Sequence, residues 1–437
     1  MPVRVVLTNL GSLGNIQPFL VLAHEMRRTG YRPILAVGEQ YAQYVRNLGF
    51  DFTGIGTDFD YRNLQKRDTA GELRGINPLD LLTESLPIFA DLLPKMFSEL
   101  SEACRHADVL ISGHLQPVSR MIHEITNIPF VSIHTNHFGE LQPEAYRRAA
   151  CSVINPFRRK HNLPPICDPI HTDANSPQLA LYAISRYLRP RGSRWPEHYH
   201  VSGFMFPEED AWQPKYDPKL LAFLAAGPPP VVFSFSSVVH EDPVRMTKLL
   251  IDSIEGLGCR AVIVSGWSGL SAENVPSSVY VTDFVQHSWL FPRSACVIHA
   301  GGSGTTAMTL RSGIPAVIVP HVGDQPLWAD LIRGIGCAKF VIPYRELTAE
   351  RLREAVAATL SDQSLSRAAI QMARKIRKEH GVVMARKLIE RLLQRLGVIA
   401  CGSDGLDHNG WSFAGPADRP ALKCRSVVHG WKAIRER

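Results

Sequence analysis

Apolar residues fall in short, nearly unbroken runs that alternate with stretches of helical spacing. Val3 to Leu10 is β-branched and apolar, Gly11 to Asn15 reads as a turn, and Phe19, Leu20, Leu22, Ala23 and Met26 mark a helix over Gln17 to Thr29. Gly30 stops that helix and a second apolar run starts at Pro33. Further strands are predicted at Asp108 to Ser112 and Pro129 to His134, with a helix over Val118 to Thr126 between them. From about Asn136 to Gln178 the chain is rich in Pro, His and Arg and shows no regular period. After Gly227-Pro228-Pro229-Pro230 the alternation resumes, with strands at Val231 to Phe235, Arg260 to Val264, Val279 to Val281, Ala295 to His299 and Ala316 to Val319. Helices are expected over Pro218 to Ala226, Pro243 to Glu255, Thr305 to Ser312 and, as one stretch, Ser364 to Leu396. Strands apolar throughout are covered on both faces, and strand–helix alternation predicts α/β architecture with doubly wound parallel sheets. The expected division is residues 1–208, a linker at 209–230, a second domain at 231–396, and an irregular tail at 397–437.

Composition narrows the class. The chain has 437 residues, 45% hydrophobic and 20% charged, enough apolar material for two cores. A formal charge of +7 favours anionic ligands such as nucleotides. No nucleic-acid-binding motif accompanies it. Eight scattered cysteines without a C-x-x-C pair read as reduced thiols of a cytoplasmic protein. The first ten residues read as a strand, not a signal peptide. No apolar window reaches the roughly 18 residues of a membrane helix. Arg147, Arg148, Arg158, Arg159 and Lys160 leave open a peripheral membrane contact, with an exposed basic loop as the plainer reading.

The strongest chemical signal is Cys296-Val-Ile-His-Ala-Gly-Gly-Ser-Gly-Thr-Thr306. A buried strand ends at His299, a glycine-rich turn follows, and a helix starts near Thr305. Free N–H groups and the positive helix end suit a diphosphate, with Ser303, Thr305 and Thr306 as added donors. A plain tight turn would have the same glycines. The next strand delivers His321-Val-Gly-Asp-Gln-Pro-Leu-Trp328 to the same sheet edge, where open α/β folds bind ligands. Asp324 and Gln325 offer acceptors and donors for sugar hydroxyls.

His-x-Gly-Gly-x-Gly-Thr, then Gly-x-Pro, then Pro-x-x-x-Asp-Gln resembles the donor-binding signature of UDP-type glycosyltransferases of GT-B fold, nearest to sterol, rhamnolipid and antibiotic glycosyltransferases. The resemblance covers roughly residues 1 to 395. It implies two Rossmann-like domains facing across a cleft, and transfer of a hexose or deoxyhexose from a UDP or dTDP sugar to a small apolar acceptor with inversion. It implies that Gly301, Gly302, Ser303, Gly304 and Thr305 cradle the diphosphate and that Asp324 and Gln325 hold the sugar. Thr282 to Trp289 resembles the base-binding segment, which carries that role to Phe284, Val285 and His287. Phe235-Ser236-Ser237 resembles the turn beside the phosphates, and His299 opens the signature. No cofactor and no metal is expected, the nucleotide sugar being a co-substrate. Ala300 stands where many relatives carry a second histidine.

Gly11-Ser-Leu-Gly-Asn-Ile-Gln-Pro18 resembles the first-domain loop whose fifth position is the general base, Asp or His. Here it is Asn15, whose amide cannot take a proton at neutral pH. Three readings follow: another base, with His114 and His134 at the ends of first-domain strands as alternatives; an acceptor acidic enough to need little base; or a catalytically weak or inactive glycosyltransferase-like binding protein. A nicotinamide dehydrogenase also begins strand–loop–helix and would use Glu39, but the first loop lacks G-x-G-x-x-G.

Overall fold

The computed structural model describes residues 2–56, 78–114, 116–136, 144–169, 171–193, 195–207, 216–235, 237–270 and 275–400. The first half is built on β1 (Arg4–Thr8), α1 (Leu13–Arg28), β2 (Arg32–Val37), α2 (Ala42–Asn47), β3 (Asp51–Gly54), α3 (Pro78–Cys104), β4 (Val109–Gly113), α4 (Ser119–Thr126), β5 (Phe130–His134), α5 (Glu144–Lys160), β6 (Ala180–Tyr182) and β7 (Tyr199–Val201). Its seven strands pair in the order β3-β2-β1-β4-β5-β6-β7, all parallel. The second half contains α6 (Pro218–Ala225), β8 (Val231–Ser234), α7 (Pro243–Asp252), β9 (Ala261–Val264), β10 (Val279–Thr282), α8 (His287–Leu290), β11 (Cys296–His299), α9 (Ser303–Ser312), β12 (Ala316–Ile318), α10 (Gln325–Gly334), β13 (Ala338–Val341), α11 (Ala349–Ser361), α12 (Gln363–Ile376) and α13 (Gly381–Arg395). Its sheet runs β10-β9-β8-β11-β12-β13, again parallel.

Each sheet is covered on both faces, which is why its strands are apolar on both sides. Val5, Leu7 and Ile111 point to one layer of the first sheet, and Val6 and Leu110 to the other. In the second sheet Phe233, Ile263 and Ile298 face α7 and α11, and Val232, Val262 and Val297 face the opposite side. The order places the β1, β4 and β5 ends together in one half and the β8, β11 and β12 ends together in the other. Both candidate sites arise there.

Several elements depart from the periodicity reading. The first helix begins at Leu13, so Asn15 lies in its first turn and not in a preceding loop. Pro18, inside α1, has no N–H to give the Gly14 carbonyl, which is left toward the second half. The stretch after Asn136 contains α5, whose Ala150, Ile154 and Phe157 are buried despite Pro156. The last helical stretch is two helices. Glu379 accepts from Ser185 Oγ (3.0 Å) and the Arg186 N–H (2.9 Å), and His380 adopts φ +47°. After that break α13 crosses to the first half, burying Val382, Ala385, Ile389 and Leu393 with Ile16 and Phe19. Glu25, 3% exposed, accepts from Arg386 at 2.9 Å and ties α1 to α13. Val398 and Ile399 pack on the same core; residues 401–437, and residues 209–215 of the linker, lie outside the described residues.

Candidate active site between the two sheets

The glycine turn closes β11 as its sequence requires. Gly301 has φ +91°, and a Cβ there would stand 3.0 Å from the Gln325 carbonyl oxygen and 3.1 Å from Ile318 Cγ2. Gly302 differs. It is the residue before α9, with φ −62°, and a Cβ added to it meets nothing within 4 Å. The space over Gly302 is therefore open, and the first N–H groups of α9 have no partners within the helix. His299 is fully buried and its Nδ1 accepts from the Gly301 N–H at 3.0 Å, which fixes the proton on Nε2 and shapes the turn from beneath. Burial holds its pKa down at about 3, so the imidazole is neutral.

The turn faces the first half directly. A Cβ on Gly304 would lie 3.7 Å from Gly14 Cα, so only small residues permit this approach. Ser303 Oγ donates to the Thr135 carbonyl at 2.6 Å, which commits that hydroxyl to the first half and leaves its backbone N–H as the group for an anion. Ser237 is half-buried beside this edge, and Ser236 lies outside the described residues.

Asp324 sits just before α10, half-buried. Its Oδ2 accepts from Trp328 Nε1 (3.0 Å) and from Asn136 Nδ2 of the first half (3.3 Å). Burial raises its pKa, and the two hydrogen bonds oppose that rise. Gln325 Oε1 accepts from the His321 N–H (2.7 Å) and the Val322 N–H (3.0 Å). Its carbonyl thus shapes the loop, and only its amide N–H₂ can serve a ligand.

The base-binding segment divides. Phe284 is 60% exposed, the one large apolar face of the three residues presented to solvent. Val285 is a core side chain at 4% exposure, so only its backbone can take part. The His287 ring is engaged within the second half. Its Nε2 pairs with Ser234 Oγ at 2.9 Å, its ring stacks on Phe291, and burial lowers its pKa to about 4.

On the first-half side, Asn15 Nδ2 lies 3.4 Å from Ser12 Oγ and the Asn15 carbonyl accepts from Asn9 Nδ2 at 2.9 Å. Asn9 packs against Gly113, the residue before His114, so Asn15 and His114 share one edge. His114 Nε2 lies 3.4 Å from Asn136 Nδ2. Burial, and secondarily the nearby His171, lowers the His114 pKa to about 4. His134 lies behind His114. It is 3% exposed, Nε2 is paired with Asn175 Oδ1, and the ring is stacked between His114 and Tyr182. With an amide oxygen as its partner, Nε2 carries the proton and donates it, and the chain of bonds continues from Asn175 Nδ2 to the Tyr199 hydroxyl.

Sequence reasoning did not single out Asn136, Thr135 or Trp328. Asn136 was legible only as the start of an irregular stretch, since its contact lies 188 residues away.

The basic cluster is partly used internally. Arg158 is 1% exposed, paired with Glu124 at 2.8 Å and bonded to the Pro164 carbonyl, so it does not face outward. Arg148 pairs with Glu144 at the surface. Among the described residues no helix is long and apolar enough to cross a membrane.

Residues 249–384 match the family described as erythromycin biosynthesis protein CIII-like, C-terminal domain. The chain is 28% identical over 428 residues to sterol 3-beta-glucosyltransferase UGT80A2 of Arabidopsis thaliana, covering 88% of this chain and 65% of that protein. It is 28% identical over 422 residues to O-mycaminosyltylonolide 6-deoxyallosyltransferase of Streptomyces fradiae, covering 89% and 97%. The chain thus spans just under two thirds of the plant relative and nearly all of the bacterial one. Among solved structures, the glycosyltransferase VinC in complex with dTDP superposes with a TM-score of 0.68 at 19% identity, covering 90% of this chain and 100% of that one. The calicheamicin glycosyltransferase CalG4 gives 0.69 at 17% identity, covering 91% and 99%. The fold is GT-B. In this GT-B chain the carboxyl edges of the two sheets meet at Gly14–Gly304, Thr135–Ser303 and Asn136–Asp324. The homologues are named glycosyltransferases.

Proposed function

We propose that the chain transfers a hexose or deoxyhexose from a nucleoside diphosphate sugar to a hydroxyl of a small apolar acceptor, with inversion. The observation that carries this is the open space over Gly302, framed by the first turn of α9, whose N–H groups have no acceptor within the helix, and aimed at the first half. Diphosphate would rest there, held by the N–H groups of Gly302 to Thr305. As the glycosidic bond to the leaving phosphate breaks, charge grows on its oxygens, and N–H groups already in place stabilise it without reorganising. Phe284 would stack on the base, and Asp324 with the Gln325 amide would hold sugar hydroxyls. The acceptor would enter from the Asn15 side, so that its oxygen attacks the anomeric carbon opposite the leaving phosphate.

The proton of the acceptor hydroxyl needs a recipient. Asn15 can accept a hydrogen bond through its carbonyl but cannot take the proton. His114 is the neutral imidazole at the same edge, and we assign it as the base, with Asn15 orienting the acceptor. Its lowered pKa makes it a weak base, which favours acceptors more acidic than simple alcohols. The named activities of the relatives support sugar transfer and differ in acceptor: one is named for a sterol, the other for O-mycaminosyltylonolide.

The reading is tested by incubating the protein with UDP-glucose or dTDP-glucose and a panel of sterols, phenols and macrolides, with mass-spectrometric detection of glycosides. A glycosylated product that disappears in Gly302→Val supports it. Nucleotide binding with no product across the panel would instead favour a non-catalytic binding protein.

A further inference from the structure

We infer that Asn136 completes the donor-sugar site from the opposite half, so that the sugar, and not the nucleotide, is what the first half reads. This rests on the donor placement proposed above. Asn136 lies two residues beyond the end of β5. Its Nδ2 reaches Asp324 Oδ2 at 3.3 Å and lies 3.4 Å from His114 Nε2. The segment cannot retreat while the halves are together, because the preceding Thr135 carbonyl is bonded to Ser303 Oγ at 2.6 Å. Asp324 Oδ2 already carries the Trp328 indole N–H, so the Asn136 amide fills the remaining direction at that oxygen. A hydroxyl donating to Asp324 Oδ2 must take the place of this N–H or insert beside it.

An amide suits such an exchange. Asn presents an N–H₂ donor and a carbonyl acceptor, so it can pair with a sugar hydroxyl that both donates and accepts. The second consequence concerns His114. The same N–H₂ that approaches its Nε2 would turn toward the sugar, uncovering the lone pair that is to receive the acceptor proton. Asn136 is a positioning residue in this scheme: it links an occupied sugar site to an available base.

The experiment is calorimetric titration of the full chain with UDP and UDP-glucose, and in parallel with dTDP and dTDP-glucose, for the wild type, Asn136→Ala and Asn136→Ser. Thermal melting of each protein checks folding. Expected is a loss of about tenfold in sugar-nucleotide affinity for Asn136→Ala, the size of one polar contact, with free nucleotide affinity changed less than twofold. Partial recovery is expected for Asn136→Ser, whose hydroxyl also donates and accepts. In turnover, the donor KM rises more than the acceptor KM. Equal effects on nucleotide and sugar nucleotide, or none on either, overturn the inference. A wild type that binds neither UDP nor dTDP overturns the donor placement itself, and the inference with it.

Discussion

At the scale of single residues, two adjacent glycines have different duties. Gly301 is a folding requirement, since a side chain there meets the Gln325 carbonyl and must adopt φ +91°. Gly302 has ordinary backbone geometry and an empty space above it. Gly301→Ala is therefore expected to lower stability by about 1–3 kcal/mol in denaturant titration. Gly302→Val is expected to leave the melting temperature within about 2 °C, as substitutions without a clash do, and to abolish nucleotide binding. The catalytic pair is tested in the same way. His114→Gln should reduce kcat by about a hundredfold or more if His114 takes the proton. Asn15→Asp should keep or raise the rate with alcohol acceptors, by placing a carboxylate where relatives resembling this loop carry their base. A His114→Gln variant with full activity would move the base elsewhere.

At the scale of elements, α13 is the part that the chain order conceals. It follows the second sheet in sequence and packs on the first core, with the Arg386–Glu25 pair at its edge. Glu25→Ala leaves the mostly covered Arg386 paired with Glu390 alone and removes the tie between α1 and α13, so a loss of about 1 kcal/mol is expected, with early loosening of the two halves detectable as limited proteolysis near the α12–α13 break. That break was not legible from periodicity, because apolar spacing continues through it and the interruption comes from tertiary bonds of Glu379. The β11–α9 unit was legible for the opposite reason. Its strand is apolar at successive positions, its turn needs glycine, and the helix stop at Gly313, φ +76°, is local. Short strands such as β6 and β7, three residues each, carry too little pattern to be seen. α5 was missed because Pro156 and a basic surface mask its buried face. The glycine turn could be read from sequence, but the contact at Asn136–Asp324 could not, since no local rule pairs residues from two sheets.

At the scale of the whole molecule, five neutral histidines stand at or after the strand ends that border the crevice. His114, His240 and His287 are held near pKa 4, and His299 and His321 near 3, all chiefly by burial. The unfolded chain binds protons on these rings below about pH 6.5 and the folded chain does not. Stability is therefore full above that value and is lost as pH falls toward 4. Between pH 6.5 and 5 the cost is roughly 1–2 kcal/mol for each such ring. A melting temperature that falls by several degrees from pH 7 to pH 5 is expected, and one that is flat over this range would show that the rings are hydrated or paired in solution. The crevice has meaning only if a nucleotide enters it, and a crystal soaked with UDP tests that most directly. The account predicts a pyrophosphate within hydrogen-bonding distance of the backbone N–H groups of Gly302 to Thr305, with the β-phosphate toward Gly14. A nucleotide bound elsewhere, or a turn that stays closed to it, would contradict the account.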